Sequence, residues 1–141
     1  MKHLHDNIYV GGQITEDDFK KFKTSGITVI INNRPDAEEA NQLNSEDAAH
    51  HAEKLGIDYH YLPMANGQPL PANLVEDFKA VIENTDGGVL AHCRSGMRSS
   101  FIWALGQIKD GNIGVDEAIE KAQSAGIPLA NARAVLESIK P

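Results

Sequence analysis

Short apolar runs alternate along the chain with stretches of helical period. The run at residues 27–31 is almost entirely β-branched, which is typical of a strand buried on both faces of a parallel sheet. Shorter apolar runs at residues 8–10 and 89–91, and the alternating segment 57–62, predict three further strands. The pattern therefore indicates at least four strands, each separated from the next by polar or helical sequence.

Segments with helical periodicity lie between and after these strands, bounded by glycine, proline and capping residues. The predicted helices cover residues 15–25, 45–54, 72–84, 99–109, 115–125 and 129–139. Strands that alternate with helices predict an α/β fold with a mostly parallel central sheet flanked by helices. The chain has no linker, repeat or low-complexity tract, so we expect residues 1–141 to form one domain.

Composition narrows the classes of partner. The net charge is −7 and lysines and arginines form no extended cluster, which argues against nucleic acid or an anionic membrane as a partner. No apolar run approaches the roughly 18 residues of a membrane span, and the first residues are too polar for a secretion signal. We therefore expect a cytoplasmic protein without a membrane partner.

The chemistry is concentrated where the strand at residues 89–91 ends. The only cysteine, Cys93, follows this strand and precedes a predicted helix, and Arg98 lies five positions later. Loop N–H groups, the positive end of the helix and the Arg98 guanidinium all favour an anion at this point. They should lower the thiol pKa from about 8.5 towards the roughly 3.5–7.5 of reactive cysteines. Cys93 is thus the predicted nucleophile and Arg98 the predicted anion-holding cation.

The residues around Cys93 have predicted supporting roles. The anion-binding or substrate-binding loop is expected to comprise Arg94, Ser95, Gly96, Met97 and Ser99. Arg94 would attract an anionic substrate at the rim. Ser99 would either hydrogen-bond the sulfur or act as the N-cap of the following helix. His92 is expected to orient the loop by hydrogen bonding.

A second candidate region leaves the strand at residues 27–31. Asn33, Arg34 and Asp36 follow that strand, and Arg34 is a secondary candidate for the site if this strand end lies beside the Cys93 loop. An ordinary Asn-Arg-Pro turn explains these residues equally well. The histidines lack neighbouring ligands at metal spacing, so we predict neither a metal nor a cofactor.

Three segments resemble landmarks of the dual-specificity protein tyrosine phosphatase fold. They are residues 8–12, 26–32 and 92–99. More closely, the chain is similar to the phosphatase-like domain of the bacterial beta-lactamase-hydrolase-like family, in which GGQ, INNRPD and HCRSG-x-RSS segments recur. The resemblance implies this fold over most of the chain. It also implies either phosphatase or sulfurtransferase activity, since the family has been called both. The family's domains occur alone or joined to persulfide dioxygenases and sulfide-oxidising flavoproteins.

Two departures from the phosphatase pattern bear on the reaction. Only four residues separate Cys93 from Arg98, whereas phosphatases of this class have five, and the shorter loop resembles that of many rhodaneses. The aspartate that acts as general acid in the phosphatases should fall within residues 65–68, which contain no carboxylate. A general acid contributes roughly 10²–10⁴-fold for a poor leaving group. Sulfite and thiolates, in contrast, leave as stable anions.

These departures favour a sulfurtransferase as the first hypothesis. Cys93 would take a sulfane sulfur from a small anionic donor such as thiosulfate or glutathione persulfide, and pass it to an acceptor thiol such as glutathione. A sulfide-oxidising enzyme is then a possible partner. The alternative is a cysteine-dependent phosphatase that forms a phosphocysteine, and a third hypothesis is a non-catalytic module that binds an anion in the loop.

Overall fold

The computed structural model describes residues 1–141 and contains five strands and six helices. The strands are β1 (Lys2–His5), β2 (Ile8–Gly11), β3 (Ile27–Asn32), β4 (Asp58–Tyr61) and β5 (Gly88–His92). The helices are α1 (Asp18–Thr24), α2 (Ser45–Lys54), α3 (Leu74–Glu83), α4 (Met97–Lys109), α5 (Val115–Ser124) and α6 (Arg133–Ser138). No helix is both long enough and apolar enough to cross a membrane.

The strands form one sheet in the order β1-β2-β5-β3-β4. All neighbours from β2 to β4 are parallel, and β1 pairs antiparallel with β2. The predicted α/β architecture with a mostly parallel sheet is therefore confirmed. The β1 strand was not predicted, because an edge strand keeps polar side chains in water and Leu4 alone of its residues is buried.

Both faces of the sheet are covered by helices. On β3, Ile27 and Ile30 pack into an apolar cluster with residues of α1 and α2. Val29 and Ile31 point to the other face and join a larger cluster with residues of α3, α4, α5 and α6. Apart from the exposed Thr28, the residues of β3 are buried on both faces, which is why residues 29–31 are apolar without polar alternation.

Two predicted helices differ from the structure by more than two residues. The first helix begins at Asp18 rather than Thr15, because the Asp18 carboxylate accepts hydrogen bonds from the Thr15 backbone N–H (2.8 Å) and hydroxyl (3.1 Å) and holds this segment as a turn. The last predicted helix is divided into a single 3₁₀ turn, Leu129–Ala132, and the short helix α6. The backbone at Ala132, with φ −100° and ψ 8°, leaves the helical region between them.

The parallel strands place their carboxyl ends at one edge of the sheet. The loops that follow β2, β3, β4 and β5 all begin at this edge. In parallel α/β sheets this edge is where ligands bind. The Cys93 loop follows β5, the central strand, so it is flanked by the loops that leave β2 and β3.

Candidate active site

A sharp turn carries the chain from β5 into α4. Cys93 follows the last residue of β5 and α4 begins at Met97, so four residues, 93–96, make the connection. Gly96 is the N-cap of α4 and has φ 94°, a left-handed conformation that glycine adopts without steric cost. A Cβ at this position would also lie 3.1 Å from Cδ1 of Ile127. The turn folds the loop amides back over the Cys93 side chain.

The backbone of this loop surrounds the Cys93 sulfur with hydrogen-bond donors. The Gly96 N–H donates to Sγ at 3.1 Å, and Cys93 is only 1% exposed. Burial raises the pKa of the Cys93 thiol, but the N–H groups of Ser99, Ser95, Gly96 and Arg98 outweigh burial and hold the pKa below its usual value. The arrangement stabilises a thiolate, the form in which cysteine is a nucleophile.

The loop after β2 supports the Cys93 nest, the group of backbone N–H donors from residues 95–99 that surrounds the Cys93 sulfur. Gly11 O accepts a hydrogen bond from the Cys93 N–H at 3.2 Å. At the next residue, Gly12, a Cβ would lie only 2.8 Å from the Arg94 carbonyl oxygen. Any other residue at position 12 would therefore push the backbone of the Cys93 loop away.

The protein holds the Arg98 guanidinium through its two terminal nitrogens, Nη1 and Nη2. Its Nη1 donates to Glu38 Oε2 (2.9 Å) and to the Met64 carbonyl (2.9 Å), and its Nη2 donates to Glu38 Oε1 (2.8 Å). The hydrogen bond from Arg98 lowers the pKa of Glu38 to about 2, against the effect of burial and with help from Arg34. Glu38 is consequently a fixed anion at neutral pH and has no proton to donate.

Arg34 lies behind Glu38 rather than in the anion site. It is only 2% exposed, and its Nε donates to Glu38 Oε1 (2.8 Å), its Nη1 to Gln13 Oε1 (3.1 Å) and its Nη2 to Glu39 Oε1 (2.9 Å). With its donors directed at three protein acceptors, Arg34 acts by positioning the two glutamates. The positive φ of Ala37, 64°, turns the chain just before them.

Asn33 connects the loop after β3 to the two other loops of the site. It is completely buried, and its Oδ1 accepts from the Ser99 hydroxyl at 2.8 Å. Its Nδ2 donates to the Leu62 carbonyl at 2.8 Å, and its own carbonyl accepts from the Met64 N–H at 2.9 Å. Asn33 thereby fixes the start of α4 relative to the segment whose carbonyl holds Arg98.

The two roles predicted for the Ser99 hydroxyl were wrong. Its hydrogen bond is made to Asn33 rather than to sulfur, and the N-cap of α4 is Gly96. The reason is the early start of α4 at Met97, which places Ser99 in the first turn with its side chain directed towards the loop after β3. Ser99 contributes its backbone N–H to the Cys93 thiolate instead.

An open cavity of about 470 Å³ lies against the outer side of the loop, and its lining residues are Asn66, Arg94, Ser95, Met97 and Arg98. Asn66 belongs to the proline-rich loop that follows β4, so that loop does border the site. The Arg94 side chain is 71% exposed, and its Nε lies 3.2 Å from Glu39 Oε1. The cavity lining thus contains two arginines and no carboxylate.

His92 does not make the predicted orienting hydrogen bond through its side chain. It is buried, and neither ring nitrogen has a hydrogen-bond partner. Burial lowers the pKa of His92 to about 4, and the positive charge of Arg34 acts in the same direction. His92 contributes through its backbone, whose carbonyl accepts from the Asn33 N–H at 2.8 Å.

Replacing His92 by Phe is expected to reduce the loss of unfolding free energy that occurs when the pH falls from 7.5 to 5. An unfolded histidine takes up a proton below about pH 6.5, whereas folded His92 stays neutral to about pH 4, so wild-type stability falls through this window. Between pH 7.5 and 5 this amounts to about 2 kcal/mol of unfolding free energy. Urea unfolding of both proteins at the two pH values measures it. Equal losses in wild type and His92→Phe would contradict the assignment.

Two other histidines make ordinary contacts. His51 packs on Phe19 with ring centroids 5.6 Å apart, and His3 Nε2 lies 2.7 Å from the Asp6 carbonyl oxygen. No group of three or more histidine, cysteine, aspartate or glutamate side chains is placed to hold a metal ion.

Several functional contacts were not anticipated from the sequence. Glu38, Glu39 and Gln13 hold the arginines of the site, and Asn33 holds its loops together. Glu38 and Glu39 follow Arg34 at four and five positions, a spacing that permits contact in a turn, but the surrounding segment has no periodicity from which to infer one.

Comparison with known proteins agrees with this geometry. Residues 1–110 match the family model described as "Beta-lactamase hydrolase-like protein, phosphatase-like domain". A beta-lactamase hydrolase-like protein of Xylella fastidiosa (strain 9a5c) is 32% identical over 134 residues, which are 95% of this chain and 31% of the relative. One of Agrobacterium fabrum is 28% identical over 95% of the chain and 31% of its own length. The chain thus spans about a third of the length of these curated relatives.

Solved structures show the same fold. A candidate phosphatase of Neisseria meningitidis is 33% identical, with a TM-score of 0.88, over 99% of this chain and 97% of its own. A candidate phosphatase of Shewanella putrefaciens is 24% identical, with a TM-score of 0.74, over 99% and 93%. Tk-PTP is 15% identical, with a TM-score of 0.75, over 99% and 93%. The predicted fold of the dual-specificity phosphatase type is confirmed.

Proposed function

The chain belongs to the family of phosphatase-like domains of beta-lactamase hydrolase-like proteins, and from this premise we propose that it is a cysteine-dependent phosphatase. The observation that carries the proposal is the free edge of the Arg98 guanidinium beside the Cys93 nest. Fold alone does not decide an activity. The hydrogen-bond donors that remain available to a substrate distinguish the candidate reactions.

Arg98 has one edge occupied by the protein and one edge free. A guanidinium has five N–H donors in a fixed plane. The hydrogen bonds to Glu38 and Met64 come only from Nη1 and Nη2, which leaves the Nε–H and one N–H of Nη2 without an oxygen acceptor. Glu38 raises the pKa of Arg98, and a hydrogen bond with Cys93 acts in the same direction, so the Arg98 side chain also reaches the sulfur. These two parallel donors match two oxygens of a phosphoryl group. The outer sulfur of a persulfide is a single acceptor that both donors would have to share, so the spacing of the two donors fits two phosphoryl oxygens better.

The proposed reaction proceeds through a covalent phosphocysteine. The Cys93 thiolate attacks phosphorus, the S–P bond forms, and the P–O bond to the leaving group breaks with its electron pair. Loop N–H groups and the free edge of Arg98 stabilise the phosphoryl oxygens in the transition state. Water then hydrolyses the S–P bond, which releases phosphate and regenerates the thiolate.

The leaving group must depart without a strong proton donor. The cavity lining contains no carboxylate, and the pKa of about 2 keeps Glu38 ionised. Phosphoesters with acidic leaving groups, such as aryl phosphates, fit this site better than alkyl phosphates.

We expect kcat/KM for substituted phenyl phosphates to rise steeply as the phenol becomes more acidic. Alkyl phosphates should be slower by more than the roughly 10²–10⁴-fold that a general acid supplies. The measurement is initial rates over a series of aryl phosphates, with Cys93→Ser as the control for background hydrolysis. A flat dependence on phenol acidity would show that an acid does protonate the leaving group.

Sulfur transfer is the second candidate, and a specific observation favours it. Only four residues lie between Cys93 and Arg98, one fewer than in phosphatases of this class, and no acid is needed when sulfite or a thiolate leaves. In this reaction the Cys93 thiolate attacks the outer sulfur of thiosulfate, the S–S bond breaks and sulfite leaves. Glutathione thiolate then takes the outer sulfur of the Cys93 persulfide as glutathione persulfide, and a sulfide-oxidising enzyme would be the partner.

Intact-protein mass spectrometry distinguishes the two candidates. The wild type is exposed in parallel to thiosulfate, glutathione persulfide and an aryl phosphate, with Cys93→Ser alongside. Turnover of the aryl phosphate without a gain of sulfur supports the phosphatase. A gain of one sulfur atom that glutathione reverses, without hydrolysis of any aryl phosphate, replaces it with the sulfurtransferase.

A further inference from the structure

We propose that Arg94 selects substrates that carry a second anionic group next to the transferred phosphoryl group, and that Glu39 sets the strength of this selection. The inference rests on the proposed phosphatase function and specifies its substrate class: small phosphoesters with a phosphate, sulfonate or carboxylate a few bonds from the reacting phosphorus. It follows from the cavity, the contacts of Arg94 and the contacts of Glu39.

The cavity on the loop has room for more than a phosphoryl group. Its volume is about 470 Å³. A phosphoryl group of four to five heavy atoms, each about as large as a water molecule of ~30 Å³, fills roughly a quarter to a third of this space. The remaining space is bordered by Arg94, Ser95 and Asn66. In a protein of net charge −7, this cavity is lined by two arginines and no acid, so it favours an anion locally.

Arg94 has donors to offer in this cavity. Its side chain is 71% exposed, and its only polar contact is the one from Nε to Glu39 at 3.2 Å. Both Nη groups are therefore free to donate. Arg94 directly follows Cys93, and consecutive Cα atoms are about 3.8 Å apart. Arg94 and Arg98 line the same cavity, so an anionic group bound by Arg94 lies in the cavity that would hold the phosphoryl group.

Glu39 restrains Arg94 and competes with the substrate for it. The same oxygen, Oε1, accepts from the buried Arg34 at 2.9 Å and faces the Nε of Arg94 at 3.2 Å. Because Arg34 anchors Glu39, an incoming anion must share Arg94 with a fixed carboxylate. A glutamine at position 39 would keep a carbonyl oxygen for Arg34 and remove the competing charge.

The test compares phenyl phosphates that bear a ring carboxylate with the matching carboxamides, at constant ionic strength. We expect Arg94→Ala to lower the ratio of kcat/KM for carboxylate over carboxamide by about ten-fold, the size of one charge-assisted hydrogen bond. Glu39→Gln should raise the ratio several-fold. Arg133→Ala removes the same charge from the partly exposed helix α6, and serves as the matched control that leaves the ratio unchanged.

Failure of this inference is distinguishable from failure of the proposed function. If phenyl phosphate is hydrolysed but the ratio is the same in all four proteins, the Arg94 inference is overturned and the phosphatase stands. If no aryl phosphate is hydrolysed, the proposed function fails. The role of Arg94 is then tested by calorimetry, which compares the binding of inorganic phosphate and pyrophosphate by Cys93→Ser and by Cys93→Ser/Arg94→Ala. The inference is supported if Cys93→Ser binds pyrophosphate more tightly than phosphate and this preference disappears in Cys93→Ser/Arg94→Ala. It is overturned if both proteins bind pyrophosphate equally well.

Discussion

Cys93→Ser is expected to lower kcat/KM by roughly 10⁴-fold or more for whichever group the protein transfers, the scale seen when a catalytic nucleophile is removed. The loop N–H groups stabilise a thiolate, and a serine hydroxyl remains protonated and is a far weaker nucleophile in the same position. The measurement is kcat/KM with the best aryl phosphate and with thiosulfate. A residual activity within ten-fold of wild type would show that Cys93 is not the nucleophile.

The same substitution separates catalysis from simple anion binding. The donors around Sγ are backbone groups and the free edge of Arg98, and all of them remain after the sulfur is replaced. Cys93→Ser should therefore still bind inorganic phosphate in calorimetry. Phosphate binding by Cys93→Ser, together with no Cys93-dependent turnover by the wild type, would favour the third hypothesis, a module in which the nest only recognises an anion.

Glu38→Ala is expected to lower the free energy of unfolding by about 3–5 kcal/mol and to reduce activity as well. Glu38 is the shared partner of Arg34 and Arg98, both of which are buried, and its removal leaves Nε of Arg34 and two N–H groups of Arg98 without their acceptor. Activity falls because Arg98 loses the contact that fixes the plane of its free edge. Urea unfolding at pH 7.5 and aryl phosphate kinetics measure the two effects.

The pH dependence identifies the charge as the cause. The pKa of Glu38 is lowered to about 2 in the folded protein, so its contribution is present above about pH 4.5 and is lost as the pH falls towards about 2. The difference between wild type and Glu38→Ala should shrink over this range. Glu83→Ala, an exposed glutamate at the end of α3, is the control and should cost little at any pH. A difference that persists unchanged at pH 3 would assign the loss to packing.

The local part of the site was predictable from the sequence. A short apolar strand, a glycine in the turn and a following helix place Cys93 at the end of β5 by local rules alone. The nest of N–H groups also follows locally, because it consists of backbone within six residues of Cys93. Likewise, continuous apolar runs indicated that both faces of the sheet are covered.

The long-range part of the site was not predictable in the same way. Glu38 contacts Arg98 across 60 residues, and Asn33 contacts Ser99 across 66. These contacts depend on the path of an irregular segment after β3, which turns at a non-glycine residue of positive φ, Ala37. Neither hydrophobic period nor turn chemistry specifies such a path, so the sequence indicated Arg34 without showing that it acts through Glu38.

The hydrogen bonds at the carboxyl edge of the sheet imply that the two halves of the site differ in rigidity. Cys93 is tied to the Gly11 carbonyl beside the most buried strands, where amides open only with much of the fold. Arg98 is held instead by Glu38 and by the Met64 carbonyl, from two irregular connections that open at lower cost. Cys93 is consequently the more rigid half of the site, and local fluctuations mainly change the orientation of the Arg98 guanidinium relative to it.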